Sequence, residues 1–155
     1  MLSLSRKTEY GLMALSHLSS LPPDRLANVG EIAATAKIPR ELLAKILSEM
    51  VKAGLATSYT GPSGGFCLSR PLSDISLAQV MTVLENRPLM VACAAEPGSC
   101  ERSHSCNICQ PLTKVHRRVA KLLEDTPLSD LVSAKASLQT ISVDNNDLQT
   151  EDLRK

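Results

Sequence analysis

Residues 38–70, IPRELLAKILSEMVKAGLATSYTGPSGGFCLSR, change hydrophobic period once, and no other stretch restricts the fold as much. Leu42, Leu43, Ile46, Leu47, Met50 and Val51 recur at helical spacing, which predicts one amphipathic helix. Pro39 suits its first position and Gly54 its C-terminal stop. Residues 55–60 and 66–69 then read as two short strands around Gly61-Pro62-Ser63-Gly64-Gly65, a glycine-rich β-hairpin.

The preceding residues supply a shorter helix. Asn28 stands where an N-cap belongs, with Glu31 three positions on, and the helix ends near Lys37. A short helix, a tight turn and a longer helix make a helix-turn-helix, and a hairpin directly after it makes a winged helix. Upstream, residues 5–19 form a first helix with Tyr10, Leu12, Met13, Leu15 and Leu18 apolar, closed by the Pro-rich break at 21–27. The same stripe would serve a three-helix module that docks protein, but the hairpin in the wing position favours a DNA reader. In that reading Arg40, Glu41, Ala44 and Lys45 face base edges and phosphates. Tyr59, Thr60 and Ser63 offer hydroxyls, while Gly61 and Gly64 let backbone approach phosphate.

Downstream, Ser76 and Gln79 form a second capping box, opening a helix through about Asn86. Residues 110–125 predict a long amphipathic helix with Leu112, Val115, Val119, Leu122 and Leu123 on one side, and Thr126-Pro127 starts a last short one. From about Ala136 the chain turns polar and acidic, as a flexible tail does. The expected organisation is a DNA-binding domain at 1–75, a ligand loop with dimerisation helices at 76–135, and a tail at 136–155.

Composition narrows the function. Aromatic residues make up 2% of the chain, so the core is aliphatic and the stacking platforms of single-strand binders are missing. Residues 1–75 carry eight Lys and Arg against six Asp and Glu, net +2, and the remainder nine against ten, net −1. The basic excess lies on the half with the winged helix, a difference that only weakly favours duplex binding. No apolar run reaches the ~18–20 residues of a membrane span, and Arg, Lys and Glu interrupt the N-terminal segment as they would not in a signal peptide. A cytoplasmic protein is expected, with no membrane partner. The chain carries no nucleophile–base pair, phosphate loop or paired carboxylates, which argues against an enzyme.

Four of the five cysteines fall in seventeen positions, CAAEPGSCERSHSCNIC, from Cys93 through Cys100 and Cys106 to Cys109. In a reducing compartment such clustering points to metal or redox chemistry. Thiolates select zinc, copper(I) or iron–sulfur clusters. Zinc prefers two close pairs, and only Cys106 and Cys109 form one, with Cys93, Cys100 or His104 left to complete it. Neither common ferredoxin spacing occurs, although a loop of this breadth can wrap a cluster. Disulfides and unligated thiols remain alternatives. His104 reads first as a loop histidine and second as a ligand, and Cys67 as a small core residue.

Taken in order, LSRKTEYGLMAL, VGEIAATAKIPRELLAKILSEMVKAGL, GPSGGFCLSRP, ISLAQVMTVLE and the cysteine loop resemble the Rrf2 family of winged-helix transcription regulators over about residues 2–132. Within it, RPLMVACAAEPGSCERSHSC is most similar to regulators of the SUF iron–sulfur-assembly system, cousins of IscR. The resemblance implies a mainly α fold: a winged helix-turn-helix, a cysteine-rich cluster-binding loop and a long C-terminal dimerisation helix. It implies a homodimer on double-stranded operator DNA, with affinity set by an iron–sulfur cluster, 2Fe-2S ahead of 4Fe-4S. The ligands it implies are Cys93, Cys100 and Cys106. The fourth is Cys109, standing where one branch has histidine, or Glu9, matching an acidic ligand on the first helix in others. A regulator of cluster-assembly genes is the leading expectation. A nitric-oxide- or iron-responsive repressor and a scaffold that does not bind DNA are the alternatives. One departure concerns the wing, where Thr60 replaces the arginine that often precedes Gly-Pro in the family.

Overall fold

A computed structural model describes residues 4–85 and 106–133. The order is α1 (Arg6–Ser19), α2 (Val29–Ala36), α3 (Arg40–Lys52), β1 (Ala56–Tyr59), β2 (Gly65–Leu68), a 3-10 turn (Leu72–Asp74), α4 (Leu77–Leu84), α5 (Cys109–Glu124) and α6 (Leu128–Ser133).

Local chemistry sets most of these boundaries. The Ser5 hydroxyl accepts from the Thr8 N–H and starts α1. Asn28 starts α2 by accepting from the Glu31 N–H at 2.9 Å. The reciprocal half of that box is missing, because Arg25 holds the Glu31 carboxylate at 2.7 Å. Ser76 and Gln79 form the complete box that opens α4, which ends at Leu84 with Glu85 as cap. Gly54, at φ +70°, supplies the left-handed turn after α3. Lys37 closes α2 in the same region at φ 55°, a conformation that costs a side-chain-bearing residue about 1–2 kcal/mol.

β1 and β2 pair antiparallel in the register Ala56 with Leu68 to Tyr59 with Gly65. Ala27 joins as a third edge: its N–H donates to the Phe66 carbonyl at 3.1 Å and its carbonyl accepts from Phe66 at 2.8 Å. Gly65 is required there, because a Cβ would lie 2.7 Å from the Ala27 carbonyl oxygen. Cys67 is half-buried opposite Thr57 rather than in the core, since a two-stranded ladder leaves its later positions partly wet.

The core is aliphatic. Leu15, Ile32, Leu43, Ile46, Leu47, Met50 and Leu55 are buried together with Ile75, Val80, Leu84 and Leu128 in one cluster spanning both sides of residue 75. α1 crosses α3 and α4 at Gly11, where an added Cβ would collide with the Leu84 side chain. The segments flanking α4 and α5 are sewn together: Leu77 N–H donates to Thr126 at 2.9 Å and Leu128 N–H to Ile75 at 2.8 Å. That pairing makes α4 and α5 the two arms of a hairpin closed at its base. No helix among the described residues is long and apolar enough to cross a membrane.

Candidate functional site

α3 turns two unlike faces to its surroundings. Leu43, Ile46, Leu47 and Met50 are buried, while Arg40, Glu41, Ala44 and Lys45 are exposed, with Ser48 one turn further on. Those four positions fall on one outward side because residues separated by four share a helix face. Arg40 and Lys45 carry cations there, and Ala44 between them leaves room for a base edge or phosphate. Lys37 adds an exposed cation in the turn leading into α3. In the sequence it stands only as a helix end, and its signal is a non-glycine residue where a C-cap glycine is usual.

The hairpin presents a second surface. Tyr59 is 54% exposed, and Thr60, Gly61, Pro62 and Ser63 are exposed around the turn. Gly61 sits at φ +122°, which favours glycine. Gly64 behaves differently from Gly61. Its N–H donates to the Gly61 carbonyl at 3.0 Å, and its Cα faces the Tyr59 carbonyl too closely for a side chain. It closes the turn, leaving Tyr59, Thr60, Gly61 and Ser63 as the outward groups.

The ligand candidates divide. Cys106 and Cys109 are free and half-buried, three residues apart, with Cys109 the first residue of α5. Glu9 is exposed in the first turn of α1, beside fully buried Thr8. Cys93, Cys100 and His104 lie outside the described residues, as does the 136–155 tail. Among the described residues no group of three or more His, Cys, Asp or Glu side chains forms a metal cradle. The donors fit an iron–sulfur group by chemistry: two free thiols three residues apart, soft ligands partly shielded from water.

α5 is amphipathic yet has no buried residue. Leu112, His116, Val119 and Leu123 are half-buried, whereas Ile108, Val115 and Leu122 are 57%, 44% and 66% exposed. Ile108, Leu112, Val115, Val119 and Leu122 alternate spacings of four and three, the heptad pattern of a helix–helix seam. The Val115 and Leu122 expected on one side with Leu112 are thus turned outward, because one helix packed on α4 covers only part of so wide a stripe. Two imidazole nitrogens, His17 Nε2 and His116 Nδ1, are buried with no hydrogen-bond partner among the described residues.

A family model described as Rrf2, iron-dependent transcriptional regulator, matches residues 4–134. Among solved structures, CymR (YrzC), described as the global cysteine regulator of B. subtilis, is 26% identical. The match covers 86% of this chain and 98% of that one, at a TM-score of 0.67. IscR from T. potens is 22% identical, covering 90% and 93%, at 0.65. A regulator from Listeria innocua is 23% identical, covering 92% of each chain, at 0.70. At their identities the last two bear on the fold alone.

Proposed function

This chain belongs to the Rrf2 family of transcriptional regulators, and from that membership we propose an iron–sulfur-dependent regulator that binds operator DNA as a homodimer and controls iron–sulfur-assembly genes. The observation that carries this reading is α5, which begins on the free thiol of Cys109, three residues after that of Cys106, and exposes Val115 and Leu122 along with Ile108 at its N-cap. One helix thereby carries a soft metal donor at its start and an apolar face in need of a partner.

In this reading α3 enters the major groove with Arg40, Glu41, Ala44 and Lys45, and the hairpin follows the backbone with Tyr59, Thr60, Gly61 and Ser63. Gly64 shapes that turn. Phosphate contacts from Arg40 and Lys45 position the protein, and base contacts specify the site. Residues 1–75 read the DNA and 76–135 hold the ligand loop and the dimer helix. Pairing of α5 with its copy sets the two α3 helices against half-sites about 34 Å apart, so a small rotation of each protomer misaligns both. The protein acts in the cytoplasm.

Cys93, Cys100 and Cys106 would hold the cluster, with Cys109 or Glu9 completing the set and 2Fe-2S ahead of 4Fe-4S. When bound it supplies a centre sensitive to iron supply, oxidants and nitric oxide. The chain's part is to join those ligands to the rest of the fold. α5 is fastened at its C-terminal end by the 75–77 and 126–128 backbone pairing, so displacement of its cysteine end turns it about that base.

The test is anaerobic purification with iron, sulfide and visible absorption measured for wild type, Cys109→Ala and Glu9→Ala. Duplexes selected from a random pool then give operator affinity for loaded and chelator-stripped protein. Coloured, iron-bearing protein whose affinity changes on stripping is expected, and whichever substitution perturbs the spectrum names the fourth ligand. Colourless, iron-free protein with the same affinity before and after chelation refutes the sensor reading.

A further inference from the structure

Glu85 ends α4, its own N–H donating to the Met81 carbonyl at 2.7 Å. Its side chain reaches back to the start of the chain. Oε1 accepts from the Ser5 backbone N–H at 2.8 Å and from the Thr8 hydroxyl at 2.7 Å. Ser5 is the N-cap of α1, and Thr8 is the buried polar side chain of the described core, at 0% exposure. A carboxylate from about eighty residues away in sequence therefore caps α1, where the helix dipole favours negative charge.

The same turn of α1 also grips α3. Lys7, between Ser5 and Thr8, places Nζ 2.6 Å from Glu49 Oε2. That pair is partly exposed, so its weight is as geometry more than as charge. Directly beneath, Gly11 brings α1 into contact with Leu84 of α4 and with Ile46 and Met50 of α3. One turn of α1 thus holds both neighbours, the end of α4 through the Glu85 bonds to Ser5 and Thr8, and α3 through the Lys7–Glu49 pair.

We propose that Glu85 is a positioning residue for α3, the far end of a strut that runs through the first turn of α1 and fixes the pose of α3 against α4. The proposal rests on α3 being the recognition helix. It adds a route by which the end of α4, from which the chain continues toward Cys93 and Cys100, is felt at the DNA-reading face. A capping contact that served α1 alone would need neither the Lys7–Glu49 link nor the shared turn.

Amide hydrogen exchange on the full chain tests it without iron or DNA. Glu85→Ala is expected to speed exchange about tenfold in the first turn of α1. It is also expected to speed exchange severalfold at 46–50 of α3, with α2 unchanged as the internal reference. Glu85→Gln, which keeps an acceptor oxygen, restores protection in both places. Should the alanine variant fail to fold, Thr8→Val removes one donor while keeping the side-chain shape, and the same reach into α3 is expected. An effect confined to 5–9 overturns the strut. On a selected duplex, Glu85→Ala and Lys7→Met each weaken binding severalfold and no further when combined, whereas multiplying losses overturn it. Wild-type protein with no preferred duplex defeats the operator reading, and the exchange measurement still decides the strut.

Discussion

Gly11→Ala places one methyl group at the crossing of three helices. The added Cβ would run into Leu84 Cδ1 and lie 3.6 Å from both Ile46 Cγ2 and Met50 Sδ. Leu84 is 2% exposed and precedes Glu85, whose carboxylate is bonded to Ser5 and Thr8, so α4 has little freedom to withdraw. Overpacking of this kind costs about 1–3 kcal/mol. Alanine recovers about 0.5–1 kcal/mol over glycine inside a helix. The net loss then lies between about 0 and 2.5 kcal/mol, centred near 1 kcal/mol, a fall in Tm of up to about 10 °C for a chain of this size. Urea and thermal melts at one protomer concentration measure it, since the stability of the proposed dimer would depend on concentration. Leu84→Ala alone should cost about 2–5 kcal/mol. Combined, the new methyl enters the vacated space, and the double variant should be about 1 kcal/mol or more better than the sum. A Gly11→Ala protein more stable than wild type, or a pair additive within about 0.5 kcal/mol, refutes the reasoning.

In the proposed homodimer, replacing both outward residues of α5, Val115→Glu with Leu122→Glu, should leave helix content unchanged and weaken association at least about a hundredfold, measured by sedimentation equilibrium. Lys37→Gly relieves the left-handed cap after α2 and should stabilise the fold by about 0.5–1 kcal/mol in denaturant melts. The Lys121 ammonium is held above its ordinary value by its hydrogen bond to Asp125 at 3.2 Å and by the charge of that carboxylate. A raised folded value means the contribution is complete below the ordinary lysine value and lost as pH rises through the folded one. Any melting difference between Lys121→Met and wild type at neutral pH should therefore be small, screened by salt, and absent once pH passes that range.

Local chemistry made much of this molecule legible. Asn28 and Ser76 cap their helices three residues ahead of the amides they bond, a spacing visible in the residues themselves. The outward side of α3 follows from the spacing of Leu43, Ile46, Leu47 and Met50, because their burial leaves Arg40, Glu41, Ala44 and Lys45 opposite. The hairpin was readable from its glycines. What depends on distant partners was not. Glu31 has the position of a capping-box acid, yet its carboxylate is drawn to Arg25 within the Pro-rich break. Ala27 offers no strand signal, but Phe66 recruits it into the ladder.

By itself the sequence determined the order of elements, the aliphatic core, the two-faced α3 and the thiols at the start of α5, since each follows from residue type and short-range spacing. Tertiary structure alone decided that Glu85 caps α1 and that Gly11 is the helix crossing. It alone decided that Val115 and Leu122 of α5 face outward. Those outcomes depend on where helices meet. Contact between residues about eighty positions apart is set by the whole packing, so a carboxylate at the end of α4 becomes part of α1 only once the core has closed.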